Sequence, residues 1–260
     1  MAIDWLAERL PEDREAIRDA VSDLCSKYDR DYWVRMDESG DYPQDFVDDL
    51  QRNGWLSMLI PAEYGGGGGT FAHEAVVTIE QIRALAPSLG NPVHSTIVAH
   101  YINAYATEEQ KLAWLPKMAT GEIVAAVAMT EPGTGSDLQS IKTKAVKDGD
   151  DYVLNGSKTF ISNGYLADLV VVAAKTNPES QGVDSVSLIA VETNREGFRR
   201  GRNLEKIGQH GQDTCELFFD GLEVPAENSI GEEGKGLRDI VDSMNAERIL
   251  IAAECIGDAE

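Results

Sequence analysis

Glycines and hydroxyl-bearing residues alternate within one short stretch of the sequence, residues 128–137. An apolar run, residues 123–129, ends there in a loop that contains Pro132, Gly133 and Gly135. Closely spaced glycines let a ligand approach main-chain N–H groups without a Cβ in the way. The loop is therefore a candidate cradle for a phosphate or for the polar edge of an aromatic ring.

This loop does not match the common nucleotide-binding motifs. A G-x-G-x-x-G pattern is absent, and the lysine of a phosphate-binding P-loop does not follow the glycines. The alternative is an ordinary solvated turn, because glycine, proline and serine build such turns in most proteins. Residue types alone leave both interpretations open.

A second candidate is Glu247, in a helix predicted near the end of the sequence. Apolar residues recur there at helical spacing and predict its buried stripe: Leu237, Ile240, Val241, Met244 and Ile251. Glu247 follows Met244 by three positions, so it projects from the same stripe. Burial would raise the pKa of its carboxyl, which suits a general base at neutral pH. The alternative is a carboxylate at the edge of the stripe that reaches water or an arginine, with Arg238 and Arg248 both near in sequence.

The sequence around these residues contains predicted helices before Gly121 and predicted strands after it. Helical spacing covers residues 12–28, 43–53, 73–85, 92–106 and 108–118. The five-glycine run at residues 65–69 predicts a flexible loop without chemistry of its own. After Gly121, short valine-rich strands are predicted at residues 123–129, 143–147, 152–155, 159–162, 169–175, 186–191 and 215–219. The dipeptides at 155–156 and 163–164, both Asn-Gly, predict turns between them.

The sequence therefore predicts an α+β protein. An all-helical N-terminal domain covers residues 1–120, and a small antiparallel β-barrel or sandwich domain covers residues 121–232. Residues 233–260 are predicted as a further helix, which no glycine or proline stop signal ends.

Composition excludes several classes of function. Acidic residues number 45 against 23 basic ones, a formal charge of −22 that disfavours nucleic acid and anionic lipid as partners. No apolar run approaches the roughly 20 residues that span a bilayer, and residues 1–9 lack a targeting pattern. Three distant cysteines indicate a reducing compartment, and the four histidines lack metal-ligand spacing. We expect a cytoplasmic protein without a metal site.

Two segments, residues 128–137 and residues 158–164, resemble the flavin-contacting signature of the acyl-CoA dehydrogenase family. Further segments at 54–66, 107–122 and 206–236 also resemble the family, and they occur in the same order as in its members. The resemblance implies FAD as cofactor and α,β-dehydrogenation of an acyl-CoA substrate, as in fatty acid β-oxidation. It also implies an electron-transfer flavoprotein as electron acceptor, and assembly as a homotetramer.

The resemblance also implies roles for individual residues. The implied flavin contacts are Met129, Thr130, Gly135, Ser136, Phe160 and Ser162. Many relatives have tryptophan where this chain has Phe160 and threonine where it has Ser162, so an aromatic wall and a hydroxyl are both kept. Ser136 and Arg248 are implied as substrate contacts. Glu247 matches the position at which the isovaleryl and long-chain branches carry their catalytic glutamate.

Two alternatives to a self-sufficient dehydrogenase stay open. The resemblance implies a C-terminal helical bundle, of which this sequence carries the first helix. The first alternative is therefore a flavin-binding subunit or fragment, which is inactive without a partner chain that supplies the bundle. The second alternative is a flavin oxidase or monooxygenase with the same fold, in which reduced flavin meets O₂. Residue types separate neither alternative from the dehydrogenase, and they do not indicate the length of the acyl chain.

Overall fold

The computed structural model describes residues 11–87, 89–177 and 182–260. The N-terminal segment considered for a targeting signal, residues 1–9, lies outside these ranges. The helices that precede the sheet are α1 (Glu12–Cys25), α2 (Arg30–Ser39), α3 (Gln44–Arg52), α4 (Phe71–Arg83), α5 (Ala99–Tyr105) and α6 (Glu108–Ala119). A π-helical segment, Val93–Val98, leads directly into α5.

Eight strands and a long helix follow. The strands are β1 (Ala125–Ala128), β2 (Lys144–Asp148), β3 (Asp151–Ser162), β4 (Leu169–Lys175), β5 (Val186–Glu192), β6 (Phe198–Asn203), β7 (Thr214–Pro225) and β8 (Ser229–Ile230). They form one sheet in the order β6-β7-β3-β2-β4-β5-β8, with β1 paired to β4. Helix α7 (Gly236–Ala259) completes the fold. The predicted sequence of helical domain, sheet domain and final helix is confirmed.

The sheet is mixed rather than purely antiparallel. β1 runs parallel to β4 from the pair Ala125–Leu169 to the pair Ala128–Val172, and β2 meets β4 in parallel at Lys144. Parallel neighbours need a long crossover connection, which the β2–β3 hairpin and its flanking loops provide here. The prediction of antiparallel pairing is therefore wrong for β1 and for the contact of β2 with β4, although it holds for the hairpins.

Strand β4 places helices against the sheet. Leu169, Val171 and Ala173 pack with residues of α5, α6 and α7, whereas the alternate residues Val170 and Val172 pack within the sheet domain. Successive side chains of a strand point to opposite faces, so a strand buried on both faces is continuously apolar. Helix α7 is thereby fixed next to the sheet.

The dipeptide at residues 155–156 is not the turn that its composition predicts. β3 runs through it as one strand of 12 residues. Gly156 has a φ of 154° and lies at a shift of register against β7. A Cβ on Gly156 would lie 2.5 Å from Oγ1 of Thr143. The glycine therefore permits a close approach of two backbones inside the sheet.

The five-glycine run is packed, so the prediction of a flexible loop is wrong. The N–H of Gly67 donates to the carbonyl of Ser57 at 2.9 Å, and that of Gly69 donates to Met58 at 2.8 Å. A Cβ on Gly66 would lie 2.1 Å from the carbonyl oxygen of Ile60. These glycines lie where the backbone of residues 57–60 leaves no space for a side chain.

Across the described ranges, every helix is too short or too polar to cross a bilayer.

Candidate active site

A buried ion pair fixes the loop that follows β1. Nζ of Lys158, on β3, lies 2.9 Å from Oε1 of Glu131 and donates to the carbonyl of Met129 at 2.9 Å. The Glu131 carboxylate also accepts hydrogen bonds from the backbone N–H groups of Lys142 and Thr143, at 2.6 and 2.9 Å. One carboxylate therefore ties both ends of the loop to the sheet.

Both members of this pair are charged at neutral pH. Burial lowers the pKa of the Lys158 ammonium to about 8, against the opposing effect of Glu131. Burial acts to raise the pKa of Glu131, but the Lys158 charge and the hydrogen bonds to residues 142 and 143 outweigh it and leave that pKa below its ordinary value. The ionic form of the pair is the one that holds the loop.

Phe160 lies on the part of β3 that is joined to the same loop. The N–H of Thr159 donates to the carbonyl of Thr130 at 2.9 Å, which joins this part of β3 to the end of β1. Phe160 has a φ of 59° and lies at a shift of register between β3 and β7. Positive φ is uncommon outside glycine, and such strain marks functional positions more often than ordinary ones. The side chain is 67% exposed, so the ring turns away from the core.

The predicted flavin contacts offer free hydrogen-bonding groups. Within the described part of the chain, the hydroxyls of Thr130, Ser136 and Ser162 have no hydrogen-bond partner. Gly135 and Ser136 are exposed, and a Cβ on Gly135 would meet no atom within 4 Å. A flavin ring needs a flat apolar surface and polar partners for its edge, and the exposed ring of Phe160 together with these hydroxyls fits that requirement. The residues present fit FAD.

A groove of about 590 Å³ separates this loop from α7. The loop contributes residues 135–139, and α7 contributes Leu237, Arg238, Ile240, Val241, Asp242 and Met244. Its volume and its mixture of apolar walls with a few polar groups are typical of small-molecule sites. Of the predicted flavin contacts, Gly135 and Ser136 line the groove.

The buried face of α7 differs from the predicted stripe. Val241 and Ile251 are each 56% exposed, so they do not belong to it. The buried residues are Gly236, Leu237, Ile240, Ser243, Leu250, Ala253 and Gly257. Four of these seven residues are small. At Gly257 the reason is the close approach of another helix, since a Cβ there would lie 2.7 Å from Cβ of Ile82 on α4.

Glu247 is half-buried one helical turn after Met244, the last groove residue on α7. Its Oε1 accepts a hydrogen bond of 2.7 Å from the hydroxyl of Tyr101 on α5. Burial raises the pKa of the Glu247 carboxyl, while the Tyr101 hydrogen bond and the charge of Arg248 partly oppose that effect. A carboxylate with this balance accepts a proton more readily than an exposed one.

Neither candidate arginine forms an ion pair with Glu247. Arg238 pairs with Asp184, at 2.7 Å between Nη2 and Oδ1. Arg248 is exposed, and it acts on Glu247 through its charge alone. Arg248 follows Glu247 directly and lies outside the set of groove residues.

Sequence reasoning missed three residues of this region, namely Glu131, Lys158 and Tyr101. Glu131 and Lys158 lie inside the two segments that resemble the flavin signature. Each is a charged residue next to an apolar strand pattern, and their opposite charges could have predicted an ion pair. Tyr101 is 146 positions away from Glu247 in the sequence. Residue spacing contains no signal for that contact.

Comparison with known proteins agrees with this architecture. Family models described as acyl-CoA dehydrogenase, N-terminal domain, and acyl-CoA dehydrogenase, middle domain, match residues 11–122 and 126–222. The long-chain specific acyl-CoA dehydrogenase of Sus scrofa is 38% identical over 249 residues, which cover 95% of this chain and 58% of that protein. The cyclohex-1-ene-1-carbonyl-CoA dehydrogenase of Geobacter metallireducens is 34% identical and covers 97% of this chain and 67% of its own length.

A solved structure supports the same relationship. The acyl-CoA dehydrogenase from Geobacillus kaustophilus superposes with a TM-score of 0.89 at 44% identity, covering 95% of this chain and 65% of that one. The chain thus spans between about half and two thirds of the length of these relatives. With two matching domain models in family order and this degree of identity, the chain belongs to the acyl-CoA dehydrogenase family.

Proposed function

We propose that this chain catalyses the FAD-dependent α,β-dehydrogenation of an acyl-CoA thioester, with Glu247 as the general base. The observation that carries the proposal is the position of Glu247. Its carboxylate is half-buried, is hydrogen-bonded by Tyr101, and follows the last α7 residue of the groove by one turn. The opposite wall of that groove is the loop with the predicted flavin contacts.

The residues of the chain divide the work of this reaction. FAD, when bound, supplies the hydride acceptor, because no side chain accepts a hydride. Phe160 offers an aromatic surface for its ring, and Thr130, Ser136 and Ser162 offer hydroxyls. Met129 and Gly135 are proposed as further contacts. The thioester makes its α-proton acidic, and Glu247 removes that proton. Negative charge then develops on the thioester oxygen, which hydrogen-bond donors stabilise.

One substrate contact is proposed in the groove and one beyond the α7 residues that line it. Ser136 lies on the loop side and offers a free hydroxyl. Arg248 is exposed beside Glu247, where its guanidinium can bind the phosphates of coenzyme A. We further propose an electron-transfer flavoprotein as the electron acceptor. The chain would work as a homo-oligomer, or together with a partner chain that supplies further helices.

The test is a visible absorption spectrum of the purified full chain, followed by anaerobic titration with saturated acyl-CoAs of several lengths. We expect a flavin band that one class of thioester bleaches. Glu247→Gln should abolish bleaching and leave the flavin bound, because the amide cannot accept the α-proton. Asp258→Asn, an exposed change on the same helix, should bleach like the wild-type chain.

Two outcomes would contradict the proposal. A bound flavin that no thioester reduces would favour the partner-dependent subunit or the oxygen-using enzyme, and oxygen consumption with and without a candidate partner chain separates those two. A colourless chain that does not take up added FAD would contradict the flavin site itself.

A further inference from the structure

Tyr101 is the group that holds the carboxylate of Glu247. The side chain of Tyr101 is fully buried in the core between the helices and the sheet, so its ring has one fixed position. Its hydroxyl donates to Oε1 of Glu247 at 2.7 Å. The other oxygen, Oε2, has no hydrogen-bond partner in the ranges that the structure describes. The two oxygens of one carboxylate thus have different surroundings.

We propose that Tyr101 is a positioning residue, which fixes Oε1 of Glu247 so that Oε2 is the oxygen that takes the substrate proton. The inference rests on the proposed function of Glu247. A glutamate on a helix has several rotamers, and confining it to one before the substrate binds removes an entropic cost from the reaction. A rigid tyrosine in the core achieves this with one hydrogen bond.

The same bond contributes to the proton affinity of the base, which burial raises. A hydrogen bond donated to a carboxylate favours the charged form, so Tyr101 lowers the pKa of Glu247 while burial raises it. Burial, and next the charge of Glu247, raises the pKa of Tyr101 above its ordinary value. Tyr101 therefore stays protonated and remains a donor throughout the working pH range.

Few other charges act on Glu247. Titratable groups on the elements packed against α7 are His73, Glu74, Glu80 and Arg83 on α4, His94 on the π-helical segment, His100 and Tyr105 on α5, Asp184 before β5, and Glu192 on β5. Among the described residues, Tyr101 and Arg248 are the groups whose charge or hydrogen bond acts on the pKa of Glu247. Removal of the Tyr101 hydroxyl should therefore have a clear direction of effect.

Tyr105 offers a matched control. It also lies on α5, and its hydroxyl is 3.2 Å from Oγ of Ser243 and 3.3 Å from the carbonyl oxygen of Asp239, both on α7. Tyr105→Phe thus removes a contact between the same two helices without touching Glu247. A merely structural role for the tyrosine hydroxyls predicts similar effects of the two substitutions.

The test measures the pKa of Glu247 in the full chain by NMR, with glutamate labelled at its carboxyl carbon and Glu247→Gln used to assign the signal. We expect Tyr101→Phe to raise this pKa and Tyr105→Phe to leave it unchanged. Equal pKa values in the wild-type chain and in Tyr101→Phe would overturn the inference. If Tyr101→Phe does not fold, the Tyr105→Phe chain can be produced with 3-fluorotyrosine in place of every tyrosine. Fluorine makes the Tyr101 hydroxyl a stronger hydrogen-bond donor, which should lower the pKa of Glu247. An unchanged pKa of Glu247 would also overturn the inference.

Kinetics supply the second measurement. In the flavin-loaded chain, Tyr101→Phe should slow reduction by acyl-CoA roughly tenfold at neutral pH, as expected for loss of a hydrogen bond to a charged group. The acid limb of the pH–rate profile should move to higher pH by the same amount as the pKa. If no thioester reduces the wild-type chain, the proposed function fails; if Tyr101→Phe matches an active wild-type chain in rate and pKa, only the inference about Tyr101 fails.

Discussion

Lys158 and Glu131 form an ion pair that is buried beneath the loop after β1. The Lys158 side chain is 0% exposed and that of Glu131 is 6% exposed. Two charges that are removed from water need each other, and a single one left behind is strongly unfavourable. The pair therefore determines whether the loop with Thr130, Gly135 and Ser136 stays on the sheet.

We predict that Lys158→Met destabilises the fold by about 3–5 kcal/mol, because it leaves the Glu131 carboxylate buried without its partner. Arg52→Met serves as control, since the Arg52–Asp49 pair has an exposed guanidinium and should contribute only about 0–1 kcal/mol. Urea unfolding measures the free energy of unfolding of both variants. The double change Lys158→Met, Glu131→Gln should recover part of the lost stability. An equal loss of stability in Lys158→Met and in the control would contradict this explanation.

Glu74 is a second buried carboxyl, and it lacks a charged partner. Thr96 reaches its Oε1 at 3.4 Å, and Oε2 has no partner in the described ranges. Burial raises its pKa to about 7, whereas the unfolded chain has the ordinary value of 4.5. The folded state thus binds this proton more tightly. Its contribution to stability is complete below pH 4.5 and is lost as the pH rises through 7.

We predict that Glu74→Gln reduces the loss of stability between pH 4.5 and pH 8, by up to about 3 kcal/mol. Glu80→Gln is the control, because Glu80 lies on the same helix and already has Arg83 at 2.8 Å. Thermal or urea unfolding at both pH values decides the matter. A wild-type chain and a Glu74→Gln chain with the same pH dependence would show that Glu74 is not protonated in the fold.

At the level of elements, hydrophobic spacing predicted α1, α3, α4, α6 and α7 with useful bounds, and the helix predicted at residues 92–106 covers the π-helical segment and α5. On α7 the spacing identified Leu237 and Ile240 correctly as buried, but it also assigned the exposed Val241 and Ile251 to the buried face. Apolar residues of α7 lie on all sides of the helix, and Val241, Ile249 and Ile251 among them are exposed. Its buried face also uses Ser243, Ala253 and Gly257, which carry little hydrophobicity, and at Gly257 the approach of α4 leaves no space for a side chain. Periodicity detects hydrophobic contrast and does not detect this kind of close packing.

Helix α2 and strands β6 and β8 escaped sequence reasoning, and the first two did so for a related reason. Helix α2 buries only Trp33, so it has no apolar stripe, although Asp29 caps its start and Gly40 its end. Strand β6 reads Phe-Arg-Arg-Gly-Arg-Asn and lies at the edge of the sheet, where polar residues are expected. The capping residues of α2 could have predicted that helix, whereas β6 is recognised as a strand only from its pairing with β7.

The packed glycine run gives a prediction at the same scale. Gly66→Ala should destabilise the fold by about 1–3 kcal/mol, because its Cβ would overlap the backbone of Ile60. Gly133→Ala is the matched control, since a Cβ there meets no atom within 4 Å and φ is not positive. A urea unfolding experiment compares the two. If Gly66→Ala proves as harmless as Gly133→Ala, residues 65–69 are not packed in solution.

At the scale of the whole molecule, the candidate site lies where three segments far apart in the sequence meet. The loop after β1, the second half of β3 and the first turns of α7 are brought together by the sheet order and by the packing of α7 on β5 and α5. The resemblance located the residue types, but the groove and the Tyr101 contact depend on tertiary packing. The acidic charge of −22 bears on solubility and partners rather than on fold. The cytoplasmic location stays a prediction.

The decisive experiment compares the rate at which an acyl-CoA bleaches the flavin of the full chain, without oxygen, between the wild-type chain and Glu247→Gln. We predict bleaching in the wild-type chain and its loss in Glu247→Gln, with the flavin still bound in both. Equal bleaching rates in the two chains would show that another group removes the α-proton, and the assignment of Glu247 would be wrong.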